Sequence, residues 1–158
     1  MKPKILISAC LIGENVKYDG GNNALHVKIL EQWKQEGLLV PLCPEVLGGL
    51  SVPRSPCEVI EGTNRVICKS GEDVSAEFAK GARESLKISQ EEGVCMAILK
   101  ARSPSCGKDI IYDGTFTSRK VNDSGITCKL LQESGIRVFS EEELENAQAF
   151  LGVSKLSL

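Results

Sequence analysis

The chain holds seven cysteines in 158 residues, and no two of them stand at the Cys-x-x-Cys spacing of compact zinc or redox motifs. Cys106 lies in "LKARSPSCGKDI" (99–110), where a thiol is set among Ser, Pro and Gly directly after a strand-like run. Cys10, in "SACL", and Cys43, in "CPE", occupy comparable positions after two other apolar runs. Each alone would pass as a buried cysteine, a common fate for this residue. Their neighbours are small, rigid or charged rather than packing residues, which points instead to ligands. Three thiolates with no fourth partner suit a [4Fe–4S] cluster with one iron not ligated by protein, because structural zinc asks for four ligands. His26, the one histidine, falls on an expected helix away from the strand ends. Glu45 follows Cys43 by two residues and is placed to give or take a proton. Ser103 and Ser105 flank Cys106 in the same way.

The elements that must position these residues are legible in the hydrophobic pattern. Residues 4–12, 38–43, 94–100 and 136–139 read as short buried strands. Residues 23–37, 73–93, 124–135 and 140–151 read as helices, the last opening on Ser140 and Glu143 at capping-box spacing. "VKYDGGNN" (16–23) carries an Asp-Gly turn, and "CEVIEGTNRVIC" (57–68) reads as a hairpin with Cys57 opposite Cys68. "KDIIYDGTFTS" (108–118) begins extended and then turns. This order predicts one α/β domain over 1–158: a mainly parallel, open, Rossmann-like sheet flanked by helices, with a small β-hairpin insertion. Ligands in such sheets bind outside the carboxyl ends of the strands. Cys10, Cys43 and Cys106 can therefore meet at one edge. Cys95, inside a strand, and Cys128, on an apolar helix side, read as packing residues. Cys57 and Cys68 are either ordinary strand residues or a labile redox pair.

A formal charge of −2 and a pI near 5.6 speak against a broad nucleic-acid footprint. No apolar run approaches the roughly 18 residues of a membrane span. "MKPKILISACLIGE" superficially resembles a signal peptide, but Glu14 ends the apolar stretch and no cleavage pattern follows. A cytoplasmic chain with free thiols is expected. Two cations, Arg54 in "VPRSP" and Lys100 in "LK", fall near the expected site. Arg54 is a candidate for holding a substrate oxygen. The residues alone also leave open a zinc-binding or structural cysteine module, and a sulfur carrier using one free thiol.

"SACLIGENVKYDGGNN", "CPEVLGGLSVPRSP", "LKARSPSCG", "YDGTF" and "GITCKLLQESGIRVFSE" together resemble the family once called domain of unknown function 523, which includes the thiouracil desulfidases. The resemblance covers nearly the whole chain. It implies an oxygen-sensitive [4Fe–4S] cluster on Cys10, Cys43 and Cys106, loaded by iron–sulfur assembly machinery. The implied activity is non-redox removal of sulfur from a thiolated uracil base, nucleoside or nucleotide. It further implies Glu45 as the proton-transfer residue with Ser103 as helper, and Tyr18, Asp19 and Gly20 as residues shaping the substrate pocket. Some family members carry an added domain and act on thiolated tRNA. That substrate is less expected here than a small thiolated pyrimidine. Ser118 and Cys128 depart from the Gly and Ala expected at those positions.

Overall fold

The computed structural model describes residues 2–156; Met1, Ser157 and Leu158 lie outside the described residues. Four parallel strands form the main sheet: β1 (Lys4–Ser8), β2 (Leu39–Leu42), β5 (Val94–Leu99) and β8 (Arg137–Ser140), in the order β2-β1-β5-β8. The hairpin is β3 (Cys57–Val59) and β4 (Val66–Cys68), and a second small hairpin pairs β6 (Ile111–Tyr112) with β7 (Lys120–Val121). The α-helices are α1 (Lys28–Gln35), α2 (Pro44–Leu47), α3 (Ser75–Glu92), α4 (Ile126–Glu133) and α5 (Leu144–Leu156).

The central strands read as unbroken apolar runs because both of their faces are covered. Ile5, Ile7, Met96 and Ile98 point to one side and pack with Leu30 and Trp33 of α1 and with Ala147 and Leu151 of α5. Leu6, Ala97 and Leu99 point to the other, where they meet Cys128 and Leu131 of α4, with Leu86 of α3 alongside. Alternate residues along one strand thus serve opposite layers. Among the described residues, no helix is long and apolar enough to cross a membrane.

The expected architecture is present, with three differences in its detail. The first apolar run is not all strand: β1 stops at Ser8 and Ala9–Ile12 form a 3-10 turn. Leu11 is fully buried in that turn, which is why the apolar pattern continues past the strand. The helix expected from residue 23 begins at Lys28. Before it, the Ala24 N–H donates to Asn22 Oδ1 and the Leu25 N–H to the Leu11 carbonyl, so the segment is held extended across the turn. Pro44–Leu47 forms a short helix that the pattern did not announce. The capping box at Ser140 and Glu143 is formed, opening a 3-10 turn, Glu141–Glu143, that leads into α5.

Candidate active site

The chain runs from β1 outward to β2 and then crosses back to β5 on the other side of β1. That reversal opens a crevice at the carboxyl ends of the strands. A cavity of about 420 Å³ lies there, and Cys10, Cys43 and Cys106 all line it. Cys10 comes from the 3-10 turn after β1, Cys43 from the residue after β2, and Cys106 from the loop after β5.

Each thiol is held by its own local structure. Asn23 Nδ2 donates to Cys10 Sγ at 3.5 Å, and the Asn23 N–H donates to the Cys10 carbonyl at 2.9 Å. Cys43 stands before Pro44, which suits the first position of α2 because its missing N–H would have no partner there. The Cys106 loop is closed by Gly107, whose N–H donates to the Ser103 carbonyl at 2.8 Å; a Cβ at this position would press on that carbonyl and on Ile111. The first turn of α4 then grips the loop. Ile126 donates its N–H to the Pro104 carbonyl, and Thr127 and Cys128 donate theirs to Ser105. These are amide groups that a helix start otherwise leaves unpaired. Gly125 permits the approach, since a side chain there would meet the Ser105 backbone.

Burial pushes all three thiols up from their ordinary value, Cys106 to about 12. The Cys43 sulfur adds to the rise at both Cys10 and Cys106, so the three groups act on one another across the cavity. Opposing bonds come from Asn23 to Cys10 and from Ser8 and Ser105 to Cys106. Buried thiols that resist ionisation on their own become thiolates when a cation compensates the charge, and metal binding then expels protons. Among the described residues, no three His, Cys, Asp or Glu side chains close on a single-ion position. The three sulfurs face a shared volume rather than a shared point.

Glu45 enters the cavity from the first turn of α2, with both carboxylate oxygens engaged. Oε1 receives the Arg54 Nε–H at 3.2 Å and Oε2 the Ser105 hydroxyl at 2.9 Å. Ser103 Oγ lies 3.0 Å from Ser105 Oγ. With its proton directed to Glu45, Ser105 accepts from Ser103, and the hydroxyls form a chain. Ser105 Oγ also stands 3.6 Å from Cys106 Sγ, so the carboxylate and the thiol share a neighbour. The side chains of Glu45 and Arg54 are only 14% and 7% exposed, which places their ion pair largely out of water. The helix bearing Glu45 is fixed by two glycines. A Cβ on Gly48 would collide with the Glu77 carbonyl of α3, and one on Gly81 of α3 would collide with the Pro44 carbonyl. The backbones of α2 and α3 therefore touch.

The remaining expected residues divide. Tyr18, Arg54, Lys100, Ser103 and Ser105 line the cavity. Arg54 spends its other donors on the carbonyls of Ser51 and Val16. Lys100 pairs with Glu141 at 3.0 Å and bonds the Ala101 carbonyl. Asp19 and Gly20 sit in the turn beside the cavity rather than on its wall. Asp19 Oδ1 accepts the Gly21 N–H, and the Gly20 N–H donates to Lys17. His26 is exposed, and it lies before α1 rather than on it. Cys128 is buried in the core as expected, and Cys95 is half-buried. Sequence reasoning missed Asn23 as the partner of Cys10, and Cys57, Glu58, Arg102 and Tyr112 as wall residues. An Asn before a helical stretch has the look of a cap; only the register of its loop against the 3-10 turn shows that Asn23 serves Cys10 instead.

A parallel α/β sheet with three cysteines and a carboxylate converging at its switch point defines an α/β protein with a thiol-lined cavity at its carboxyl edge. The family described as 2-thiouracil desulfurase matches residues 5–143, and the chain belongs to that family. A Bacillus subtilis (strain 168) relative, named uncharacterized protein YbbK, is 40% identical over 150 residues, covering 90% of this chain and 98% of its own length. A solved structure, the [4Fe-4S]-dependent thiouracil desulfidase TudS (DUF523Vcz), is 41% identical with a TM-score of 0.92, covering 96% of this chain and 99% of that one.

Proposed function

We propose that this chain is a thiouracil desulfidase that replaces the thiocarbonyl sulfur of a small uracil derivative by oxygen, releasing sulfide with no net redox change. The observation that carries the reading is the convergence of Cys10, Cys43, Cys106 and Glu45 on one cavity from three strand ends. A donor set of three thiols spread around a volume suits a [4Fe–4S] cluster, which gives each thiolate its own iron, better than a single zinc ion. When bound, the cluster supplies a Lewis-acidic iron, without a protein ligand, for the thiocarbonyl sulfur. A cavity of about 420 Å³ suits a base, nucleoside or nucleotide rather than a tRNA surface. Free thiols of this kind suit a reducing, cytoplasmic compartment with assembly machinery to load the cluster.

The residues of the chain do the rest. Cys10, Cys43 and Cys106 hold the cluster, with Asn23 fixing the Cys10 sulfur. Glu45 takes the proton of the water that attacks the thiocarbonyl carbon. Arg54 fixes the carboxylate at Oε1, and the Ser105–Ser103 chain leads from Oε2 into the loop after β5. Tyr18 and Lys100 bound the space left for the substrate. The test is anaerobic purification followed by iron and sulfide analysis, and then incubation with 2- and 4-thiouracil, their nucleosides and nucleotides. Equal amounts of oxo base and sulfide, formed without an added electron donor, are expected. A chain that carries iron and converts none of these substrates overturns the reading.

A further inference from the structure

Two cysteines outside the proposed ligand set also meet. Cys57 and Cys68 are register partners in the β3–β4 hairpin, with their sulfurs 2.9 Å apart. Theirs is a non-hydrogen-bonded rung: the Cys68 N–H donates to the Glu72 carbonyl, and the adjoining bonded rung runs from the Lys69 N–H to the Pro56 carbonyl. Opposed Cα atoms on such a rung stand about 4.5 Å apart, within the roughly 4.4–6.8 Å that a disulfide spans. The pair can therefore close without moving the backbone. Its surroundings are unequal. Cys57 is half-buried and lines the same cavity as Cys10, Cys43 and Cys106. Cys68 is buried behind it among Val59, Val66, Val74 and Phe78.

We propose that Cys57 and Cys68 form a second sulfur site in the cavity wall: oxidised to a disulfide, the pair takes up hydrosulfide as a persulfide on Cys57. The proposal rests on the desulfidase reading only for the source of that hydrosulfide. Oxidation uses a low-molecular-weight disulfide. The two thiols lose two hydrogens, the Cys57–Cys68 bond forms, and two small thiols leave. Hydrosulfide in the cavity then attacks Cys57 Sγ, the sulfur that faces it. The protein S–S bond breaks, a new S–S bond forms on Cys57, and Cys68 leaves as a thiolate that takes a proton. Sulfide thereby gives up two electrons, which the Cys57–Cys68 disulfide accepts. Burial and the neighbouring Cys68 sulfur push the reduced Cys57 thiol up, so this thiol stays protonated and an excess of oxidant is needed.

Trypsin cuts after Arg54, Arg65 and Lys69, which places the two cysteines in separate peptides. The anaerobically purified chain is treated with excess glutathione disulfide, freed of it, exposed to sodium sulfide, alkylated and mapped by mass spectrometry. The oxidised sample should show the two peptides linked with loss of two hydrogens. After sulfide, the Cys57 peptide should carry one extra sulfur and the Cys68 peptide an ordinary alkylated thiol. Cys68→Ser should abolish the linked peptides and leave a glutathione adduct on Cys57 before sulfide is added, and Cys95→Ser should keep the linkage; the wild-type map decides the matter even where a variant folds poorly. In the wild type, glutathione adducts without the linked peptides, or extra sulfur on Cys68 instead of Cys57, overturn the proposal. Because sodium sulfide bypasses the enzyme, sulfur uptake from sulfide but not from a thiouracil supports the second site and counts against the desulfidase reading.

Discussion

Cys106 and Cys128 are 22 positions apart, both buried, and both pushed up by that burial, to about 12 and about 11. Ionisation does not distinguish them; geometry does. Cys106 opens onto a cavity that Cys10, Cys43, Cys57 and Glu45 also line, whereas Cys128 ends in the packed layer between α4 and the sheet. A cysteine can serve as a ligand only where it shares an empty volume with other donors, and the carboxyl edge of this sheet supplies one. The α4 layer has been filled instead.

The largest test of that contrast is colour. Ala in place of Cys10, Cys43 or Cys106 should eliminate the brown iron–sulfur absorbance of anaerobically purified protein, while Cys95→Ala and Cys128→Ala keep it. Bleaching in a folded Cys128→Ala chain would break the comparison. Next in size is Glu45→Gln, which keeps shape but cannot trade protons at neutral pH. It should retain full iron content and lose at least ~100-fold in kcat. A smaller loss, roughly 10- to 100-fold in kcat/KM, is expected of Gly81→Ala, because it pushes α2 and Glu45 away from α3. Gly152→Ala, where a Cβ meets nothing within 4 Å among the described residues, should leave turnover unchanged.

The smallest expected effect is on alkaline stability without metal. Cys106 has a folded pKa raised to about 12, so its contribution is fully present below the ordinary thiol value and fades as pH rises toward the folded one. Melting temperatures of the chelated chain should therefore hold to about pH 9 and fall from there toward pH 12. Cys106→Ser should flatten that fall. An identical slope in the variant would assign the loss to other groups.

The sheet was readable because its central strands are covered on both faces, so "KILIS" and "VCMAIL" are apolar throughout. The positions of Cys10, Cys43 and Cys106 were readable because each comes after an apolar run, although β2, which precedes Cys43, is a partly exposed edge strand. The α2 helix was not. Four residues carry no helical period, and what holds them is contact with a glycine on α3, 33 positions after Gly48. The start of α1 was misplaced because Asn22 and Asn23 look like caps but bond to the Ala24 amide and to Cys10. Arg54 was legible as a cation near the site. Its commitment to Glu45 depends on how the segment after α2 folds back, which no local pattern records.

The way α4 begins limits how the cysteine loop could be transplanted. No side chain caps that helix; its first amides bond to the carbonyls of Pro104 and Ser105. An engineer grafting "SPSCG" onto another parallel sheet would leave those carbonyls without their donors, and the loop would lose the support that fixes its thiol. The portable unit is β5, the loop and α4 together, with Gly125 retained at the junction. A minimal designed scaffold for the same thiol should carry all three or none.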